Sequence, residues 1–276
     1  MSIAAVTAVA GLATAAALVQ SAQASSPAVQ HQKPTVVLVH GALADSSSWS
    51  SVTKQLQHDG YRVVAPANPL RSLSGDANYL AAYLKTISGP IVLVGHSYGG
   101  SVISEAAAGN SDVRALVYIA ALAPAKGETA FQLVTKFPGT RITDDPKAPV
   151  PTALNAVPYT EGGTTQVDLY LKPDKFRDVF LSDRVSAGEA AVLAAAQRPV
   201  TAEALSEPSG TPAWRTTPSW YLVANDDHVI PSAAQRYMAA RAHAHTSGVN
   251  APHDVLLTNP NAVSKVILNA AHSVGR

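Results

Sequence analysis

The 276 residues contain no cysteine, only two methionines and four phenylalanines, and only 14% of them are charged. Without Cys the chain can form no disulfide, no thiolate nucleophile and no cysteine metal site. An excess of either charge is also missing. Lys and Arg number 20 against 19 Asp and Glu, so the chain lacks the basic field that nucleic acid or an anionic lipid surface requires. What this leaves is a small, weakly charged molecule as partner, and no nucleic acid. With 47% hydrophobic residues the disordered class is excluded, and the length fits one large α/β domain with room for an inserted subdomain.

Charge is missing altogether from residues 1–32. There "IAAVTAVAGLATAAALV" precedes "SAQASS", in which Ala22 and Ala24 match the small-x-small pattern of a signal peptidase site. The expectation is a signal peptide over 1–24, cleaved after Ala24, a polar linker over 25–33, and export of the mature chain. No basic residue precedes the apolar stretch, and the competing reading leaves the chain in the cytoplasm. The stretch is alanine-rich and near the lower length limit for spanning a bilayer, so no stable membrane span is expected after cleavage.

Past the linker, short apolar runs alternate with helical patterns. "TVVLVH" (35–40), "YRVVAPAN" (61–68), "IVLVGH" (91–96), "VRALVYIAA" (113–121) and "SWYLVAND" (219–226) are continuous rather than alternating, as strands buried on both faces of a parallel sheet would be. A sixth, weaker strand is expected between His245 and Ala251. "SGDANYLAAYLKTISG" offers Ser74 as N-cap, Leu80, Tyr83, Leu84 and Ile87 as a buried stripe, and Gly89 as stop. In "NPNAVSKVILNAA" the cap is Asn259, Pro260 opens the helix, and Val263, Val266, Ile267 and Ala270 form the stripe. The alternation implies a doubly wound sheet. It breaks between Pro124 and Arg215, a Pro- and Gly-rich stretch with a capping box at Ser186 and Glu189 and no strong strand, read here as an inserted helical cap.

"GHSYGG" follows the third strand directly. A serine at a very tight strand-to-helix turn takes a strained backbone conformation, and side chains two residues to either side would collide with the flanking strand and helix. Glycine at 95 and 99 removes those collisions and leaves the Ser97 hydroxyl above the sheet at a helix N-terminus, where negative charge is favoured. A serine needs a base, and the base an orienting acid, in the chain order Ser, acid, His. "NAPHDVLLTNP" supplies His253 before the last helix. "YLVANDDHVIP" supplies two adjacent acids, Asp226 and Asp227; Asp227 is preferred because Ile230 and Pro231 follow it. For an oxyanion, one N–H would come from Tyr98 and the other from Ala42 in "VLVHGALADSSSW", where Gly41 permits a close turn. His40 reads as a structural hydrogen-bonding group. "HAH" (His243, His245) has no carboxylate cluster beside it, so no metal is expected.

These segments, together with the pairing of His253 with "NP" and a final helix, resemble the α/β-hydrolase superfamily. The likeness is strongest to bacterial relatives of the plant methyl esterase and hydroxynitrile lyase group, and it runs from Thr35 to Ala271. It implies an α/β-hydrolase fold, with a mostly parallel, doubly wound sheet of about six strands, a core over 34–123 and 216–276, and a helical cap over 124–215. It further implies no cofactor, triad roles for Ser97, Asp227 and His253, and oxyanion roles for Ala42 and Tyr98. The lyases of the group place threonine at the Gly41 position and lysine at the Asp254 position; neither is here, which argues against cyanohydrin cleavage. Asp254 is unusual for the esterases too and would disfavour acidic substrates. The function expected is a serine esterase acting on small to medium esters with an apolar acyl or aryl part. Phe131, Phe137, Tyr159, Tyr170, Phe176, Phe180 and Trp214 are candidates to line its pocket. The competing readings are a slow or non-catalytic ligand receptor on a hydrolase scaffold, and a cofactor-free perhydrolase or lyase using the same residues.

Overall fold

The computed structural model describes residues 33–145 and 147–274 together with 1, 2, 4 and 5. The expected cleavage site at Ala24, most of the leader over 1–24 and the linker before Lys33 lie outside the described residues. Among the described residues no helix is long and apolar enough to cross a membrane. Residues His31–Arg276 form one compact unit.

Its first half runs β1 (Thr35–Val39), α1 (Ser50–His58), β2 (Val63–Val64), α2 (Leu73–Leu84), β3 (Ile91–His96), α3 (Gly99–Ala106) and β4 (Val113–Ile119). An insertion then carries α4 (Ala130–Val134), β5 (Leu154–Glu161), β6 (Thr164–Leu171), α5 (Pro173–Leu181), α6 (Ala187–Ala196), β7 (Val200–Thr201) and α7 (Ala202–Ser206). The chain returns through β8 (Ser219–Ala224), α8 (Ser232–Arg241), β9 (His245–Val249), α9 (Val255–Thr258) and α10 (Pro260–Val274). The main sheet is ordered β2-β1-β3-β4-β8-β9, and every neighbouring pair is parallel.

Alternation along the central strands divides the core into two layers. Val37, Val39, Leu93, Leu116, Tyr118, Tyr221 and Val223 pack with side chains of α2, α3, α8 and the insertion. Val36, Leu38, Val92, Val94, Val117, Ile119 and Leu222 pack with α1, α9 and α10. Both faces are therefore dry, which is why the strands read as unbroken apolar runs. Each fully buried Val or Leu contributes about 1.5–3 kcal/mol of apolar transfer. The order reverses between β1 and β3, and a crevice at the carboxyl ends beside such a reversal is where open α/β sheets bind ligands.

Several expectations need correction. The second strand covers two residues rather than eight, because "APAN" runs on as loop over the sheet edge. The insertion is not purely helical: β5, β6 and β7 form a three-stranded sheet in which β5 and β6 are antiparallel. Gly162 and Gly163, at φ 58° and 80°, make the two-residue turn between them. Positive φ at both central positions matches the twist of a tight hairpin. The N-cap of α2 is Ser72, whose Oγ accepts the Gly75 N–H at 3.2 Å, and not Ser74, which is exposed. The helix ends at Leu84, five residues short of Gly89. In α10, Pro260 opens the helix, and Val263, Val266, Ile267 and Ala270 are buried.

Capping sites of this kind contribute about 0.5–2 kcal/mol. Ser72→Ala should lower the urea unfolding free energy by about 1 kcal/mol, while Ser74→Ala should leave it within a few tenths. Equal losses at both positions would contradict the cap assignment.

Candidate active site

β3 ends at His96, α3 begins at Gly99, and Ser97 between them holds a φ of 52°. A Cβ on Gly95 would lie 2.6 Å from the Gly99 carbonyl oxygen, and one on Gly99 would lie 2.6 Å from that of Val39. Both neighbours are backbone and cannot swing aside, so the two glycines are what allow the turn. It is clamped from β4: the Ser97 N–H donates to Ile119 O at 3.3 Å, and Ser97 O accepts the N–H of Gly100 and of Leu122, each at 3.0 Å.

The structure brings Ser97, His253 and Asp227 together. Ser97 Oγ and His253 Nε2 are 2.8 Å apart, and His253 Nδ1 lies 2.8 Å from Asp227 Oδ2. A carboxylate only accepts, so Nδ1 carries the proton and Nε2 is free to take one from Ser97. Asp227 receives three further bonds, from the N–H of Val229 (2.7 Å) and of Ile230 (2.8 Å) to Oδ1 and from Gln235 Nε2 (2.8 Å) to Oδ2. Asp226, the alternative acid, points elsewhere. Its carboxylate takes Arg184 at 2.8 and 3.0 Å and stays partly exposed.

Gln235 is a functional neighbour that the sequence reading missed. Wholly buried, it accepts the Ala224 N–H at 3.0 Å and donates to Ile230 O as well as to Asp227. Its one signal in the sequence is a polar side chain on the face of α8 that otherwise shows Ala234, Met238 and Ala239.

His40 sets the other side of the site. The Asn68 N–H lies 2.9 Å from its Nε2. A backbone N–H can only donate, so Nε2 is bare and Nδ1–H donates to Gly41 O, 2.9 Å away. Burial pushes its pKa down. In a trans peptide C=O and N–H point in opposite directions, so fixing Gly41 O turns the Ala42 N–H away from His40. Ala42 and Tyr98 both line the cavity over Ser97, and among the described residues neither backbone N–H has an acceptor. Gly41 has no room for a side chain: a Cβ there would sit 2.6 Å from Ser97 Cβ.

His96 is buried against Trp49 and His253. Its Nε2 donates to the His253 carbonyl at 3.0 Å. Burial, reinforced by the neighbouring His253, holds its pKa at about 3. It stays neutral and ties the His253 loop to the end of β3.

The cavity is hydrocarbon around one polar spot. Leu43, Leu122, Phe131, Val134, Phe180 and Ile230 are among the residues that line it with Ser97 and His253. Of the seven aromatics expected, only Phe131 and Phe180 reach it. Tyr159 turns its hydroxyl to Arg71, Trp214 donates to Pro124 O, and Phe137 packs on Tyr237. His245 packs on Trp220. Asp254 is buried beside the cavity and caps α9 through the Leu257 N–H at 3.3 Å.

A parallel sheet with a strained serine after its third strand, and a histidine and an aspartate delivered to it from later strand ends, is the architecture of the serine hydrolases built on open α/β sheets. The chain belongs to the alpha/beta hydrolase family, whose model matches residues 36–266. It is similar to an α/β hydrolase of Aspergillus novofumigatus, 30% identical over 261 residues, 87% of this chain and 97% of the fungal protein. A pyrethroid hydrolase of Sphingobium wenxiniae is 30% identical over 257 residues, 86% of this chain and 87% of that protein. Among solved structures, polyneuridine aldehyde esterase superposes with a TM-score of 0.71 at 18% identity, covering 86% of this chain and 99% of that one. The last comparison bears on the fold alone.

Two measurements follow. A fluorophosphonate should label Ser97, and Ser97→Ala or His253→Ala should abolish labelling; labelling that survives Ser97→Ala places the reactive group elsewhere. The second concerns Asp254, whose pKa burial raises from 3.8 to about 6. The folded state then holds a proton that the unfolded chain loses between those values, so this group's contribution to stability falls as pH rises from about 4 to 6. Each pH unit is worth about 1.4 kcal/mol, so Asp254→Asn, which keeps the cap, should gain up to about 3 kcal/mol on wild type between pH 4 and 7.5. Urea unfolding at both values checks this; a constant difference would contradict it.

Proposed function

We propose that this protein is a serine-dependent carboxylic ester hydrolase that forms an acyl-enzyme on Ser97. His253 Nε2 takes the Ser97 proton as Oγ bonds to the ester carbonyl carbon. Asp227 stabilises the imidazolium and holds its tautomer, and the N–H groups of Ala42 and Tyr98 receive the oxyanion. The C–O bond to the alcohol breaks, and the alcohol leaves with the proton from His253. Water then gives a proton to the same nitrogen as its oxygen attacks the acyl carbon; the Ser97 Oγ–C bond breaks, His253 returns the proton to Oγ, and carboxylic acid and free Ser97 result.

The observation that carries the reading is the continuous chain Ser97, His253, Asp227, with both contacts at 2.8 Å, opening into a cavity where two backbone N–H groups lack acceptors. An esterase relative and a hydrolase relative, named for carbendazim and pyrethroids, support ester cleavage as the reaction class. No Lys or Arg is among the cavity-lining residues, so the reading narrows to uncharged esters with an apolar acyl or aryl part.

Hydrolysis of short-chain p-nitrophenyl esters tests it. Ser97→Ala should lower kcat by a factor on the order of 10⁶. Asp227→Asn should cost about 10⁴ by forcing the wrong imidazole tautomer, and Asp226→Asn no more than a few-fold. If the two Asn variants exchanged these effects, the acid would be misassigned. A wild type that binds esters without turning them over would make the protein a receptor instead.

A further inference from the structure

Behind the wall of the Ser97 cavity lies a second one. Leu43 and Phe180 line both. Leu43 is held at a φ of 62°, a left-handed conformation that a leucine seldom takes and that marks a position fixed by its surroundings. The two cavities differ in chemistry. Apart from Ser97, His253 and the two backbone donors, the first is hydrocarbon. The second carries the side chains of Asp45, Ser51 and Asp254, with no Lys or Arg among its lining residues. Its rim reaches solvent, since Ser51 is exposed. Arg198 is close enough to act on Asp45 but does not line the cavity.

The reaction itself says which part of an ester belongs there. The departing alcohol takes its proton from His253 Nε2, and the hydrolytic water gives one to the same atom, so both occupy the base's side of the carbonyl. Phe180 stands on that side, its ring edge-on to the His253 ring with centroids 5.0 Å apart. Asp254 follows His253 in the chain. We propose that the cavity beyond Leu43 and Phe180 is the subsite for the alcohol portion of the ester, and that it takes alcohols bearing a hydroxyl or an ammonium group in preference to a carboxylate. This assignment rests on the roles of Ser97 and His253 proposed above. The hydrocarbon cavity then receives the acyl group. The carboxylates of Asp45 and Asp254 repel an acidic alcohol and attract a cationic one, and the open rim admits water for deacylation.

The test uses butyrate esters that differ only in the alcohol: ethyl, 2-hydroxyethyl, 2-(trimethylammonio)ethyl and carboxymethyl. At pH 7.5 the wild-type kcat/KM for the hydroxyethyl and ammonium esters should exceed that for the carboxymethyl ester by about tenfold or more. Asp254→Asn, which retains the helix cap, should narrow the ratio of ammonium to carboxymethyl ester several-fold. Phe180→Leu should raise kcat/KM for a bulky alcohol more than for an equally bulky acyl group; the wild-type series decides if that variant does not fold. Hydrolysis that is indifferent to the alcohol, or fastest for the carboxymethyl ester, overturns the subsite and leaves the esterase reading standing. In Phe180→Leu, a gain for bulky acyl groups that equals or exceeds the gain for bulky alcohols also overturns it. If wild type hydrolyses none of the four esters, the reading and the subsite fall together.

Discussion

The close approach of the strand β3, the helix α3 and the loop after β1 is the constraint on which the rest depends. Three backbones come so near one another at Ser97 that no Cβ fits at residues 41, 95 or 99. The left-handed serine that results costs about 1–3 kcal/mol, a strain that persists only where the surroundings over-determine it. Here they do. Three backbone hydrogen bonds, to Ile119 at the end of β4, from Leu122 just after it and from Gly100 in α3, hold the Ser97 peptide, and β3 lies between β1 and β4 in the sheet. The same geometry puts the hydroxyl, the Tyr98 N–H and the loop carrying Ala42 in one place, so the proposed nucleophile and oxyanion donors share a single structural cause.

Three buried histidines surround this turn; backbone groups fix the tautomers of two, and the Asp227 carboxylate fixes that of the third. Asn68 N–H makes Nε2 of His40 an acceptor, the carbonyl of His253 makes Nε2 of His96 a donor, and Asp227 makes Nδ1 of His253 a donor. Burial lowers the pKa of both His40 and His96, that of His96 to about 3. That matters because the His96 and His253 rings are only 4.9 Å apart, and a cation on His96 would oppose the imidazolium that the proposed acyl transfer would form on His253. On the proposed mechanism one imidazole would carry charge through the cycle, while the other two hold backbone in place.

Sequence patterns made the sheet, the turn at Ser97 and the order of the later acid and histidine legible, because these depend on local rules: apolar runs, glycine spacing, strand ends. Other features depended on distant contacts. Gln235 looked like any helix polar residue until the folded chain set it against Asp227. The hairpin over β5 and β6 carried a Gly-Gly turn in plain view, yet β5 is short of buried apolar residues because both of its faces are exposed along most of its length; Val157 is 46% exposed. The aromatics of the insertion were equivalent on composition, and only packing separates Phe131 and Phe180 in the cavity from Tyr159, whose hydroxyl serves the Arg71 to Asp168 ion pair.

A dry cavity around a reacting carbonyl strengthens every electrostatic contact in it, because little water screens them. It also sets what can stay. On the proposed reading an uncharged ester brings one polar group needing partners, the carbonyl, and the Ala42 and Tyr98 N–H groups would supply them. The acid released ionises near neutral pH and would need a cation or several donors to remain. Among the described residues no Lys or Arg lines the cavity, and on the proposed cycle, once His253 is neutral again, only the two N–H groups are left for a full negative charge. On the proposed reading, the hydrocarbon lining that favours entry of an apolar acyl group would therefore disfavour the carboxylate made from it, so that the wall selecting the substrate would also expel the product.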